Sequence, residues 1–142
     1  MHIVLDTNVV LSALLWCGTP HHLLALIRQR GDVQLYASPA LLEELADVLS
    51  RPFAAQRLAR IDKTSHEVLA DYARVVELIE PATVPRIVVG DIDDDQVIAI
   101  AVAARADLVV SGDRKHLLPL GRHQGIRIVD AAQAFNLLLY GK

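Results

Sequence analysis

The chain has little cysteine, few aromatic residues and no excess of positive charge, and each shortage closes a route. Cys17 is its one cysteine, so an intramolecular disulfide framework is excluded and the fold must be held by its core. A lone cysteine agrees with a reducing cytoplasm, where the chain is expected to act. Aromatic residues are 4% of 142 positions, too few for extensive stacking platforms for bases. The formal net charge is −3, so the global field does not draw in nucleic acid as a strongly basic domain would. Any polynucleotide partner must be met by local charge or metal.

Long hydrophobic runs are also missing. The longest, Val97 to Ala104, is far short of the roughly 20 residues needed to cross a bilayer. The N-terminus places Asp6 where a signal peptide would be apolar, with no basic lead. Neither membrane insertion nor secretion is expected.

What is present is a hydrophobic content of 53% with 22% charged residues, the balance of a globular domain. Residues 1–142 are expected to form one domain, able to bury roughly two-thirds of its unfolded surface. A short apolar start at His2–Leu5 and short β-branched runs at Leu108–Val110 and Ile126–Val129 read as buried strands, with Gln34–Ala37, bounded by Gly31-Asp32 and Ser38-Pro39, as a fourth and Thr83–Val89 as a fifth. Helical patterns lie between them. Thr19-Pro20 opens one that Gly31 ends, Ser38-Pro39 opens another that runs to Arg51-Pro52, and a third extends from about Thr64 to Leu78. Arg51 to Lys63 is the most irregular stretch and is read as room for a mobile helical arm. Strands alternating with helices predict an α/β layered domain, a parallel sheet covered on both faces.

Ligands of such sheets bind outside the carboxyl ends of the strands, and four acids fall there. Asp6 directly follows the first strand. Asp113 follows Leu108–Val110 across Ser111-Gly112, Asp95 opens a helix from Gln96 to Arg105, and Glu44 lies early in the helix after Pro39. At roughly 100° per residue, placing Leu41, Leu45, Val48 and Leu49 inward leaves Glu43 in water and Glu44 on the border of the buried stripe. Each acid has a bland reading: Asp6 as a helix cap, Asp113 as a turn acid beside Arg114, Glu44 as a solvated helix acid, Asp93 or Asp94 as a cap. Four carboxylates among Asp91, Asp93, Asp94 and Asp95 nevertheless repel one another unless a cation neutralises them. Asp95 is placed in the site because Ile98, Ala99 and Val102 share its helical face, with Asp94 as the alternative.

Carboxylates converging without a convincing His or Cys ligand pattern favour a hard cation, Mg²⁺ or Mn²⁺, over zinc. Such an ion cancels the repulsion, binds a phosphate oxygen and lowers the pKa of a bound water, which is the chemistry of a nuclease. No G-x-S-x-G elbow, Walker loop or G-x-G-x-x-G fingerprint offers a competing chemistry. Cys17 reads as a buried small hydrophobe, and His21, His22, His116 and His123 are assigned no role.

In this order the motifs resemble those of PIN-domain proteins, of the group that includes toxins of toxin–antitoxin systems and is related to VapC-type ribonucleases. Val4-Leu5-Asp6-Thr7-Asn8-Val9-Val10 is similar to the first motif, and Ser38-Pro39 through Glu44-Leu45 to the helix bearing the family's glutamate. Asp91-Ile92-Asp93-Asp94-Asp95 with Ile98-Ala99 resembles the third motif, Val109 to Arg114 the fourth, and Gly125–Val129 the closing strand. The resemblance implies a three-layer α/β/α fold with a five-stranded parallel sheet and a Mg²⁺- or Mn²⁺-dependent endoribonuclease. It also implies an RNA substrate, a homodimer and a cognate antitoxin. Asp6, Glu44, Asp95 and Asp113 would hold the ion, with Asn8, Asp94 and Ser111 in support. Two departures stand out: Ser111 replaces a commoner threonine, and Lys115 stands where relatives often carry another acid. Arg86, Arg114, Lys115 and Arg122 are the candidates for phosphate contact, and the helix at Ala131–Leu139 for dimerisation. The rival expectation is a catalytically silent domain that binds RNA or a protein, its acids serving as caps and docking surface.

Overall fold

The short apolar runs form the middle of one sheet. The computed structural model describes residues 1–81, 92–114 and 117–141, with 92–95 described by backbone alone. Its strands are β1 (His2–Leu5), β2 (Gln34–Ala37), β3 (Val76–Leu78), β4 (Leu108–Val110), β5 (Arg122–His123) and β6 (Ile126–Val129). They lie in the order β3-β2-β1-β4-β6-β5. All neighbours are parallel except β5, which runs antiparallel to β6. In β1, Ile3, Val4 and Leu5 are all buried at 1% exposure or less. Successive residues point to opposite faces, so both faces of the central strand are covered.

The helices are α1 (Thr7–Leu15), α2 (Thr19–Gln29), α3 (Pro39–Leu49), α4 (Pro52–Arg60), α5 (Ser65–Val75), α6 (Ile92–Ala103) and α7 (Ala131–Tyr140). Helix α6 lies against β1, β2 and β4, and α7 against β4 and α2, while α1 packs on α2, α3 and α4. The apolar run from Val97 to Ala101 is buried throughout, which explains why it shows no single hydrophobic stripe. Among the described residues no single helix is long and apolar enough to cross a membrane.

The layered α/β architecture agrees with the sequence reading, but among the described residues the sheet has six strands and is mixed rather than five-stranded and parallel. The predicted helix from Thr64 begins as expected, with Thr64 Oγ1 accepting from Glu67 N–H at 3.1 Å and Glu67 Oε1 accepting from Thr64 N–H at 3.2 Å. It stops at Val75, because Val76 to Leu78 pair with Leu35 to Ala37 as an added strand. The open edge of β2 captures the segment, and periodicity along the chain does not register an edge that exists only after folding. Strand β5 arises from a two-residue turn at Gln124-Gly125, with φ of 49° and 82°. Both positive angles match the hairpin turn whose twist suits antiparallel strands. The predicted strand at Thr83–Val89 lies outside the described residues.

Other boundaries also shift. Arg51–Lys63 is ordered mainly as α4, and Gly18 rather than Thr19 occupies the cap position of α2. Helix α6 runs from Ile92 to Ala103 instead of beginning near Gln96, which places Asp93, Asp94 and Asp95 inside the helix. Ser38 caps α3 as predicted, its Oγ accepting from Leu41 N–H at 3.1 Å.

Candidate active site

Strand order reverses beside β1: the chain steps from β1 to β2 to β3 on one side, then returns to place β4 and β6 on the other. The crevice beyond the carboxyl ends of β1 and β4 is therefore the topological switch point, where open α/β sheets bind ligands. Asp6 is the first residue beyond β1, and Ser111 the first beyond β4. The ladder continues one step past both strands, with Asp6 N–H donating to Val110 O at 2.9 Å and Ser111 N–H to Val129 O at 2.9 Å.

Asp6 stands at the cap position of α1, but its side chain makes no capping bond. Its Oδ2 instead accepts from the Ser111 hydroxyl at 2.8 Å. The same Oγ accepts from Asp113 N–H at 2.9 Å. Ser111 is fully buried and Asp6 is 8% exposed, so this charge-assisted bond is largely removed from competing water. One hydroxyl thus joins the first acid to the backbone of the fourth motif. Asp113 itself is half-buried.

Glu44 is half-buried on α3 and Glu43 exposed, as the helical angles predicted. The start of α3 sits beside the start of α1, since Leu41 and Leu45 line a small cavity together with Thr7 and Val10. Asp94 and Asp95 lie in the first turn of α6, and their side chains fall outside the described residues. The described hydrogen bonds thus join Asp6, Ser111 and Asp113. Among the described residues no three Asp, Glu, His or Cys side chains gather as a metal-binding group.

Beside this junction opens a cleft of about 340 Å³ lined by Asn8, Ser12, Pro20, Ser111, Arg114 and Asp130, among others. Asn8 and Arg114 are exposed there. Ser12 and Asp130 were missed by the sequence reading, although both carried a signal. Ser12 follows Asn8 by four residues on one helix face, and Asp130 directly follows a β-branched run, as Asp6 does. Asp130 is engaged in capping α7, its Oδ1 accepting from Gln133 N–H at 2.8 Å. Cys17, read as buried, is exposed, because it falls in the turn between α1 and α2 rather than on either apolar face. Lys115, His116, Arg86 and Asp91 lie outside the described residues.

Comparison with known proteins agrees with this architecture. The model of the PIN domain family matches residues 2–115, and the chain belongs to that family. PIN domains are typically nucleases, which places the chain at a coarse level among the hydrolases. No curated protein matches it. Among solved structures, a chain in the crystal structure of VapBC2 from Rickettsia felis bound to a DNA fragment from their promoter has a similar fold. The TM-score is 0.62 and the identity 16%, over 90% of this chain and 97% of that one.

Proposed function

We propose that the chain is a Mg²⁺- or Mn²⁺-dependent endoribonuclease that hydrolyses RNA phosphodiester bonds, acting in the cytoplasm as the toxin of a toxin–antitoxin pair. The observation that carries the reading is the Ser111 bridge, which draws Asp6 and the Asp113 backbone together at the switch point of the sheet. In this reading Asp6, Glu44, Asp95 and Asp113 hold the ion, and Asn8 and Asp94 support them. A divalent ion there supplies charge neutralisation for the phosphodiester and an acidified water. The protein's own part is orientation: Ser111 holds one oxygen of Asp6, which limits the directions in which the other can point. Arg114, exposed at the cleft, is positioned to meet a phosphate.

The antitoxin partner and a homodimer belong to the same proposal. Support for the antitoxin is the fold shared with a chain of a VapBC2 complex. Support for the dimer is Leu139 and Tyr140, exposed at the end of α7 at 46% and 71%.

The test is incubation of purified protein with a pool of labelled RNA in Mg²⁺, in Mn²⁺ and in chelator, beside Asp6→Asn. Cleavage that needs the ion and is lost in Asp6→Asn is the expected result. A folded protein that neither cleaves RNA nor binds a divalent ion would instead be a silent binding domain.

A further inference from the structure

Trp16 is 43% exposed, an unusual position for the largest apolar side chain in a chain that carries one tryptophan. It is not loosely placed. Its backbone N–H closes the last turn of α1 on Ser12 O at 3.0 Å, and the Arg57 guanidinium of α4 sits 5.6 Å from the centroid of its ring. Arg57 is held in turn by its Nε, which donates to Leu15 O at 2.6 Å. An indole backed on one side by a fixed cation is a ready surface for a flat, electron-rich ring.

The surroundings indicate what would lie on it. From Pro52 to Lys63 the chain carries Arg57, Arg60 and Lys63 against one acid, Asp62, although the chain as a whole is negative at −3. A cation held against an exposed aromatic suits a phosphate backbone with a base stacked on the ring, and it disfavours an apolar protein surface. The line from Asp6 to Trp16 follows α1. Its residues Asn8 and Ser12 line the cleft beside Ser111, and Trp16 follows the last turn. Ten residues of helical rise set the two ends about 15 Å apart, a span of a few unstacked nucleotides.

We propose that Trp16, backed by Arg57, stacks a base of single-stranded RNA that leaves the cleft at Asp6 and Ser111 along the exposed face of α1. The inference rests on the nuclease reading and adds a base-binding position to it. This one aromatic site replaces the broad platform that the composition rules out.

The emission of the protein's one tryptophan reads this site directly. The probe is a labelled oligouridylate of about a dozen nucleotides, titrated in chelator so that it stays intact. Quenching of Trp16 emission in step with the anisotropy of the label is expected. Trp16→Ala should bind roughly tenfold more weakly, with most of the affinity restored in Trp16→Phe. Arg57→Ala removes the cation that backs the ring and should weaken binding by about 2- to 5-fold. Trp16→Ala changes an exposed side chain, so it keeps the test sharp even if Arg57→Ala fails to fold. Anisotropy that reports binding while Trp16 emission stays constant overturns the inference, as does parental affinity in Trp16→Ala. Cleavage dependent on Asp6, with Trp16 unquenched, overturns it and leaves the nuclease reading standing. Absence of both cleavage and oligonucleotide binding overturns both.

Discussion

The hydroxyl of Ser111 donates to Oδ2 of Asp6 at 2.8 Å, joining the first residue beyond β4 to the first beyond β1 across 105 positions of chain. The bond sets the orientation of the acid on which the proposed chemistry most depends. Ser111→Ala should lose most RNA cleavage and about 1–3 kcal/mol of stability, since it removes one buried hydroxyl that both donates to the Asp6 carboxylate and accepts from the Asp113 amide. Ser111→Thr keeps the hydroxyl and should stay within a few-fold of the parent's rate. Cleavage assays beside urea denaturation of both variants check this, and full activity in Ser111→Ala would refute the positioning role.

Removing a buried polar group should, in one place, strengthen the fold. Tyr72 is 2% exposed, its hydroxyl has no hydrogen-bond partner among the described residues, and burial pushes its pKa up. It lines the small cavity with Thr7, Leu41 and Leu45. Tyr72→Phe removes the unsatisfied oxygen and keeps the ring, so it should raise stability by about 1 kcal/mol. A drop in the urea midpoint would show that the hydroxyl has a partner in solution.

Acid should weaken one surface junction in a defined window. Arg30 grips Asp32 with two bonds, at 2.8 and 2.7 Å, and donates to Leu138 O of α7 at 2.7 Å. The hydrogen bond from Arg30 holds the Asp32 carboxyl down at about 2. An unfolded aspartate titrates near 3.9, so the contribution is complete above about pH 4 and is lost as the pH falls through about 2. The parent's Tm advantage over Asp32→Asn should therefore shrink across that window. Because the pair is exposed, added salt should shrink it as well.

The thiol of Cys17 should react in the native state. It is exposed and has no second cysteine to pair with. A thiol reagent such as Ellman's should label one equivalent without denaturant, with little acceleration in urea. Labelling that required unfolding would contradict the exposed turn.

Much of this molecule was legible along the chain. The short runs that became β1, β2, β4 and β6 were bounded by turn or polar residues, and the start signals of α3 and α5 were local chemistry that tertiary context did not override. Glu44 was separable from Glu43 because a helix turns by a fixed angle. Three features were not legible, because each depends on a neighbour remote in sequence. Val76–Leu78 is a strand only because β2 has an open edge, and β5 exists only because β6 can pair with it. Cys17 is exposed because the chain turns there between two helices that meet at 91°.

Sequence alone determined the alternation of strands and helices, the supply of acids at the ends of the strands and the motif order of a PIN domain, since these follow from side-chain type, spacing and the angular period of each element. Only the tertiary structure decided that the Asp6 carboxylate would accept from the Ser111 hydroxyl rather than cap α1. A hydroxyl and a carboxylate 105 positions apart become partners when the sheet sets β1 beside β4, and burial there makes an unpaired oxygen costly.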